Sequence, residues 1–311
     1  MTPIPYFDAH CDTLWACEKD GRSLRQNGGH LDLQRLQRFS KAAQVFALFS
    51  YSPTLPPDGM YDRCAHLRDI FRQELAANGD ILTFCPGGSG VEEAVAGGKI
   101  AALLSIEGGE LLNCDPEKLH TAKQWGVRCI NLTWNHANAL AGSHIHDPER
   151  GLTDLGKAWV RRSEELDILV DVSHVSDPAF WDLVNITTKP ILATHSNSRA
   201  VCPHSRNLTD DMFKAVCETG GAVGINLWLD FVGGACSMED ILRHIDHFMA
   251  LGGEKHIALG GDLDGCDGLS GGIHGVQDMH LLWDALKAHG YDDSTLEDIF
   301  WRNLLRVMTA E

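Results

Sequence analysis

Short apolar runs recur along the chain at residues 5–10, 44–50, 100–107, 128–134, 168–174, 191–195, 222–228 and 256–262, each long enough for one strand. A weaker run at 81–85 predicts an extra strand. Between the runs the apolar period changes to three and four residues, most clearly over 238–251, 276–289 and 294–308, which predicts helices. Thr153 can cap a helix reaching about Asp167, and Asp177-Pro178 opens the next. Asp210 and Asp211 follow Thr209, where their charge favours the positive end of a helix dipole. Eight strands alternating with helices predict a parallel sheet. At this length the leading fold is a (β/α)8 TIM-type barrel, an α/β fold with residues 1–311 as one domain. A doubly wound open sheet is the alternative. Its nucleotide-binding versions lose support, because no G-x-G-x-x-G follows the first run and no Walker-type loop occurs.

Composition narrows the function classes. The chain of 311 residues has 26 Lys+Arg against 43 Asp+Glu, a formal net charge of −17. That balance argues against nucleic acid and against an anionic membrane surface, both of which need a basic face. No apolar run approaches the ~20 residues of a membrane span, and neither end reads as a secretory signal or lipid-anchor signal, so the expected location is cytoplasmic. None of the ten cysteines is spaced C-x-x-C; they are expected to be reduced, with Cys11, Cys85 and Cys129 acting as small hydrophobes in apolar runs. Histidine is the unusual count, at 16, with several next to strand-like segments.

The positions of the ionisable residues change the picture most. His10 and Asp12 follow the first run, Glu107 ends the third, His174 the fifth, His195 the sixth and Asp262 the eighth. In a parallel barrel, strand C-termini form the catalytic face, so six potential ligands from five strands would converge there. Alternation along a strand puts His10 and Asp12 on one side and Cys11 on the other. Nitrogen and carboxylate donors suit zinc or another borderline divalent ion better than calcium. Glu107, ending an apolar strand before Gly108-Gly109, has two oxygens with which to bridge two metals. His174 and His195 are one β/α unit apart, on adjacent strands, the arrangement for a second metal. Two such ions would hold a bridging water as hydroxide at neutral pH and polarise the bond under attack. Asp262 is the candidate for proton transfer to a leaving group, favoured over Asp264, which shares its strand face by two-residue alternation. Arg206 could bind a substrate carboxylate in bidentate fashion, with Arg199 the less favoured alternative.

These residues, together with the stretches around them, resemble the renal (membrane) dipeptidase family, dinuclear zinc peptidases on an amidohydrolase-like barrel. The matching segments are Phe7-Asp8-Ala9-His10-Cys11-Asp12, Ser105-Ile106-Glu107-Gly108-Gly109 and Val170-Asp171-Val172-Ser173-His174-Val175-Ser176. Further on come Ala193-Thr194-His195-Ser196, Ser205-Arg206-Asn207-Leu208-Thr209-Asp210-Asp211, Gly260-Gly261-Asp262-Leu263-Asp264-Gly265 and Asn303-Leu304-Leu305-Arg306-Val307. Their order and spacing hold from near residue 7 to near residue 307. The resemblance implies that His10 and Asp12 bind one zinc, that His174 and His195 bind the other, and that Glu107 bridges them. It also implies that Asp262 handles the proton of the departing amine and that Arg206 receives the substrate carboxylate. Members often carry a histidine directly after Leu-Thr on the fourth strand, contacting the substrate carbonyl or oxyanion. Here Trp134 follows Leu132-Thr133, and His136, two residues on and sharing the face of residue 134 if the strand continues, is the candidate substitute.

The leading expectation is a metal-dependent dipeptidase using two divalent ions, zinc first, on dipeptides with a free C-terminal carboxylate. A D-residue at the second position and a homodimeric assembly are family traits. The alternative is another amidohydrolase-type enzyme acting on a cyclic amide, lactone or N-acyl group. Many of those use H-x-H on the first strand and a modified lysine on the fourth, and this chain has His10-x-Asp12 and no lysine in 128–134. A third reading, a non-catalytic binding protein on the same barrel, fits a chain with every proposed metal ligand least well. The loops at 51–62 and 227–234 are expected to shape the pocket.

Overall fold

Strands buried on both faces, as in a parallel barrel, need apolar side chains both inward and outward, and the strands of this protein are apolar in that way. The computed structural model describes residues 3–51 and 57–310. Among the described residues there are nine parallel strands: β1 Pro5–Cys11, β2 Lys41–Leu48, β3 Leu82–Phe84, β4 Ile100–Ile106, β5 Val127–Asn131, β6 Leu169–Asp171, β7 Leu192–Ala193, β8 Ala222–Ile225 and β9 Ile257–Leu259. Eight of them close a barrel in the order β1, β2, β4, β5, β6, β7, β8, β9 and back to β1. The extra strand β3 pairs with the first half of β4, at residues 100–102, and β5 takes over that edge at 104–106. The (β/α)8 expectation therefore holds, and the weak run at 81–85 is an accessory strand outside the closure.

The barrel interior is filled by Phe7 and a set of smaller side chains, Ala43, Ala101, Cys129, Leu169, Leu192, Ala222 and Ala258, with Ala9, Val45 and Leu103 above. Its lower mouth is plugged by Trp301, Leu304, Val307 and Met308 of the C-terminal helical segment. The fully buried Arg128 secures that plug, donating to the carbonyls of Val307 at 3.2 Å and Ala310 at 2.7 Å, and pairing with Asp167 at 3.0 Å. A guanidinium there meets the negative end of a helix and satisfies its orphan carbonyls.

Several expected boundaries shift. The runs ending at 134, 174, 195, 228 and 262 are strands only as far as Asn131, Asp171, Ala193, Ile225 and Leu259. Beyond these points the backbone turns, with left-handed φ at His174 (74°) and Asp262 (56°), so the candidate site residues stand on strand-end turns. Thr153, Ser176, Thr209 and Ser237 cap helices Asp154–Glu165, Asp177–Val184, Asp210–Glu218 and Met238–Ala250. Thr153 is the expected cap, Ser176 stands one residue before the expected opening at Asp177-Pro178, the third helix starts near Thr209 as expected, and the last was expected from its period. The single helix expected over 294–308 is broken by a π turn at Asp298–Arg302. That turn lets Ile299 and Phe300 pack with the outer layer while Trp301 enters the barrel. Helix Pro57–Ala77 carries no strong period in the sequence and went unpredicted. Residues 52–56 of the expected pocket loop at 51–62 lie outside the described residues. No helix among the described residues is long and apolar enough to cross a membrane.

Above the apolar layer the interior narrows at Gly224 and Gly260. A Cβ on either would stand 2.0 Å or 1.8 Å from the Thr194 carbonyl oxygen, a backbone atom that cannot give way. Gly260→Ala is expected to destabilise the protein by about 1–3 kcal/mol through overpacking, read as a lowered midpoint in thermal or urea unfolding.

Candidate active site

A β-bulge makes the first ligand available. Asp8 pairs with Gln44 and Cys11 with Phe46, so β1 carries one extra residue between them. Cys11 then packs outside with Leu14, while Ala9 and His10 both face inward. Glu107 continues the inward row of Ala101, Leu103 and Ser105 along β4 by two-residue alternation. His10, Asp12, Glu107, His174, His195 and Asp262 all meet at the C-terminal mouth, and all are buried.

Glu107 divides this cluster into two halves. Its Oε1 lies 2.9 Å from His174 Nε2 and 3.6 Å from His195 Nε2, and those two nitrogens are 2.9 Å apart. Its Oε2 lies 3.5 Å from His10 Nε2, which is 3.7 Å from Asp12 Oδ2 and 3.9 Å from Asp262 Oδ1. His174 Nδ1–H donates to Asn135 Oδ1 at 2.8 Å. His195 Nδ1–H donates to Thr194 Oγ1 at 2.8 Å, and that hydroxyl is itself donated to Asp171. With both protons held on Nδ1, the two Nε2 lone pairs and Glu107 Oε1 converge on one point. They repel each other unless a cation lies between them. In the other half, His10 Nε2, Asp12 Oδ1 and Glu107 Oε2 are buried with no hydrogen-bond partner among the described residues. An unsatisfied buried polar atom costs about 1–3 kcal/mol, so three together are better explained as ligands. His10 with Glu107 and His195, and His10 with Asp12 and Asp262, each have donor atoms within 4.8 Å of one another. The residues fit divalent metal ions.

The electrostatics match. Burial, helped by Arg206, pushes the His174 and His195 imidazoles well below their ordinary value, which keeps both neutral and free to ligate. Burial raises the Glu107 carboxyl to about 7 and raises Asp12 as well. At His10 burial pulls downward, but Glu107 and Asp12 outweigh it and hold the imidazole well above its usual value. This is a field that attracts positive charge.

Asp262 faces the cavity with Oδ2 held by Asn226 Nδ2 at 3.2 Å. Gly265 leaves it room: a Cβ there would lie 2.2 Å from Asp262 Oδ1 and 2.3 Å from Asp12 Oδ2. Asp264 does not share the face of Asp262. Both residues are left-handed in a turn rather than extended, and Asp264 points away to accept from Thr13 Oγ1 at 2.7 Å and the His30 N–H at 2.7 Å. Arg206 is a buried cation without an ion pair among the described residues. Its donors reach only Ser196 Oγ and the His195 carbonyl, each at 3.4 Å, its Nε has no partner, and its guanidinium lies 5.2 Å from the Phe231 ring. Burial lowers it to about 10, so it stays charged at neutral pH. Arg199 is committed to Asp177 by two bonds of 2.6 and 2.8 Å.

The structure does not bring His136 to the cluster. β5 ends at Asn131, so residues 134 and 136 do not share a strand face. His136 instead stacks on Tyr51 at 5.0 Å, meets His146 Nδ1 at 2.6 Å, and borders a separate recess with Glu110 and Asn138. The polar groups that line the cavity over the cluster on this side are Asn135 and His144, both missed in the sequence. His144 donates from Nε2 to Asn135 Oδ1 at 2.9 Å and accepts at Nδ1 from Ser205 Oγ at 2.8 Å. It sits in an irregular connection with no period to mark it, and the high histidine count was its only signal. The cavity measures about 310 Å³, with the ionisable cluster on its floor and aromatic rings around its mouth.

The whole chain, residues 1–311, matches the model of the membrane dipeptidase family, peptidase family M19. The chain belongs to this family. A metallo peptidase from Rhodobacter sphaeroides, solved with a phosphinate mimic of the dipeptide L-Ala-D-Ala, superposes with a TM-score of 0.89 at 27% identity, over 98% of this chain and 99% of that one. The dipeptidase AC, a metallo peptidase of family M19, superposes with a TM-score of 0.89 at 28% identity, over 98% of each chain. An uncharacterized protein in the pqqA 5′ region of Klebsiella pneumoniae is 34% identical, over 77% of this chain and 92% of its own length. Membership in this metallopeptidase family makes the chain a hydrolase of the metal-dependent dipeptidase type, in keeping with its groups of metal-competent side chains.

Asn135 holds the His174 tautomer that faces the cluster. Asn135→Ala is expected to weaken divalent-cation binding about 10–100-fold, measured by chelator competition, while Asn135→Asp, which keeps the acceptor, retains most of the affinity.

Proposed function

We propose that this M19 member is a two-zinc dipeptidase that hydrolyses dipeptides with a free C-terminal carboxylate. The observation that carries the reading is Arg206, a buried and unpaired guanidinium beside a divided cluster of metal-competent side chains. A cation buried without a counter-charge is costly, and a substrate carboxylate relieves that cost through two parallel hydrogen bonds.

In this reading His10 and Asp12 hold one ion, His174 and His195 the other, and Glu107 serves both through its two oxygens. When bound, the ions supply a nucleophilic water at neutral pH and polarise the peptide carbonyl. Arg206 fixes the far end of the substrate and so sets the scissile bond over the cluster. Asp262, held through Oδ2 by Asn226 with Oδ1 toward His10, passes a proton to the departing amine. A D-residue at the second position belongs to the same reading, supported by the L-Ala-D-Ala mimic bound to the Rhodobacter sphaeroides peptidase.

The deciding experiment compares L,L- and L,D-dipeptides with their C-terminally amidated forms on zinc-loaded protein. Cleavage confined to the free-carboxylate forms is expected, and Arg206→Ala should lower kcat/KM on them by about 100-fold or more. Equal turnover of the amidated forms would overturn the assignment of Arg206. Glu107→Gln removes one charge at constant size and is expected to abolish hydrolysis and lower the metal content per chain; a fully active variant would overturn the bridging role.

A further inference from the structure

We infer that the cavity selects dipeptides whose N-terminal residue carries a bulky apolar side chain, an aromatic one above all, and that Trp134 is the main determinant. This inference rests on the dipeptidase reading and concerns which of its substrates the site prefers.

The barrel order sets the direction of the substrate. Arg206 follows β7, and the strand four places round the ring from β7 is β2. A dipeptide with its carboxylate at Arg206 and its peptide bond over the cluster must point its N-terminal residue across the mouth, toward the end of β2. The side chains waiting there are aromatic. Phe49 and Tyr51, just past β2, lie 5.1 Å and 4.9 Å from the Trp134 ring, and Trp15, from the segment after β1, meets Phe49 edge-on at 5.9 Å. These four rings form one continuous panel, and all four line the cavity. Among the described residues lining the cavity, the charged ones are Asp12, Glu107 and Asp262, each already assigned to metal or proton work, so the panel offers no partner to a charged side chain.

A second observation points the same way. The two most exposed large apolar side chains of the described residues, Ile145 at 54% and Tyr51 at 44%, both line this cavity. Exposed apolar surface gathered at a site mouth marks where an apolar ligand is covered. Rings at edge-on and tilted angles, as here, also suit a further aromatic ring.

Burial of a large apolar side chain against such a panel is expected to favour Phe-Ala and Leu-Ala over Gly-Ala by about 10–100-fold in kcat/KM, with Asp-Ala at or below Gly-Ala. Trp134→Ala should reduce the Phe-Ala to Gly-Ala ratio about tenfold, while Trp134→Phe keeps most of it. Metal content and circular dichroism of the variants, matched to the parent, separate this effect from misfolding. A ratio near one in the parent, or one unmoved in both Trp134→Ala and Phe49→Ala, would overturn the inference and leave the dipeptidase reading intact. Failure to cleave any dipeptide at full metal loading would overturn the dipeptidase reading itself.

Discussion

The structure is organised around the cost of gathering like groups in a buried place. Three carboxylates and three imidazoles meet at the C-terminal mouth of the barrel, and Glu107 stands between the two halves. Lone pairs so arranged repel each other in a medium that screens poorly, and burial moves their proton affinities in the directions seen here. Divalent cations turn that repulsion into binding energy. Much else in the fold holds the arrangement in place: the bulge that aims His10, the left-handed turns at His174 and Asp262, and the glycine that gives two carboxylates room.

The apolar part of the barrel serves this polar mouth. Small interior side chains let the strands close tightly, and the C-terminal segment seals the lower end under Arg128. The chain can then hold its upper end polar and imperfectly satisfied, because stability is supplied from below. Asn135, Thr194 and Asp171 carry the same division one step further. Thr194 and Asp171 stand outside the cavity lining and Asn135 on its wall, and together they decide which nitrogen of each histidine faces the cluster.

The cavity is chemically asymmetric around the ring of strands. The buried Arg206 guanidinium lies beside the cavity on the β7 side, against Phe231, and the panel of Trp15, Phe49, Tyr51 and Trp134 covers the β2 side, with Trp228 and Phe231 past β8 completing the aromatic lining. A two-ended substrate that is anionic at one end and apolar at the other suits that polarity. The family sets the reaction type, and the proposed substrate preference comes from the aromatic side chains around the cavity mouth.

Much of this was legible in the linear order of residues. Eight apolar runs alternating with helical periods determined a parallel α/β fold, because a parallel strand buried on both faces must be apolar throughout, and made the barrel the leading form of it; the pairing of β2 with β4 is what closes the ring. The residues ending those runs determined the candidate ligands, because strand C-termini converge at one mouth of a parallel barrel. What the order could not determine lay in irregular backbone. Alternation stops where a strand stops, so the expected sharing of a face by Asp262 and Asp264, and by Trp134 and His136, failed once the chain turned. His144 and Asn135 reach the cavity from a connection without any period, and Arg199 and Arg206 look alike until one is seen paired with Asp177 and the other buried alone. Local sequence specified the elements and the chemistry they carry; only the closed barrel decided which side chains face one another, since contacts across its mouth join residues far apart in the chain.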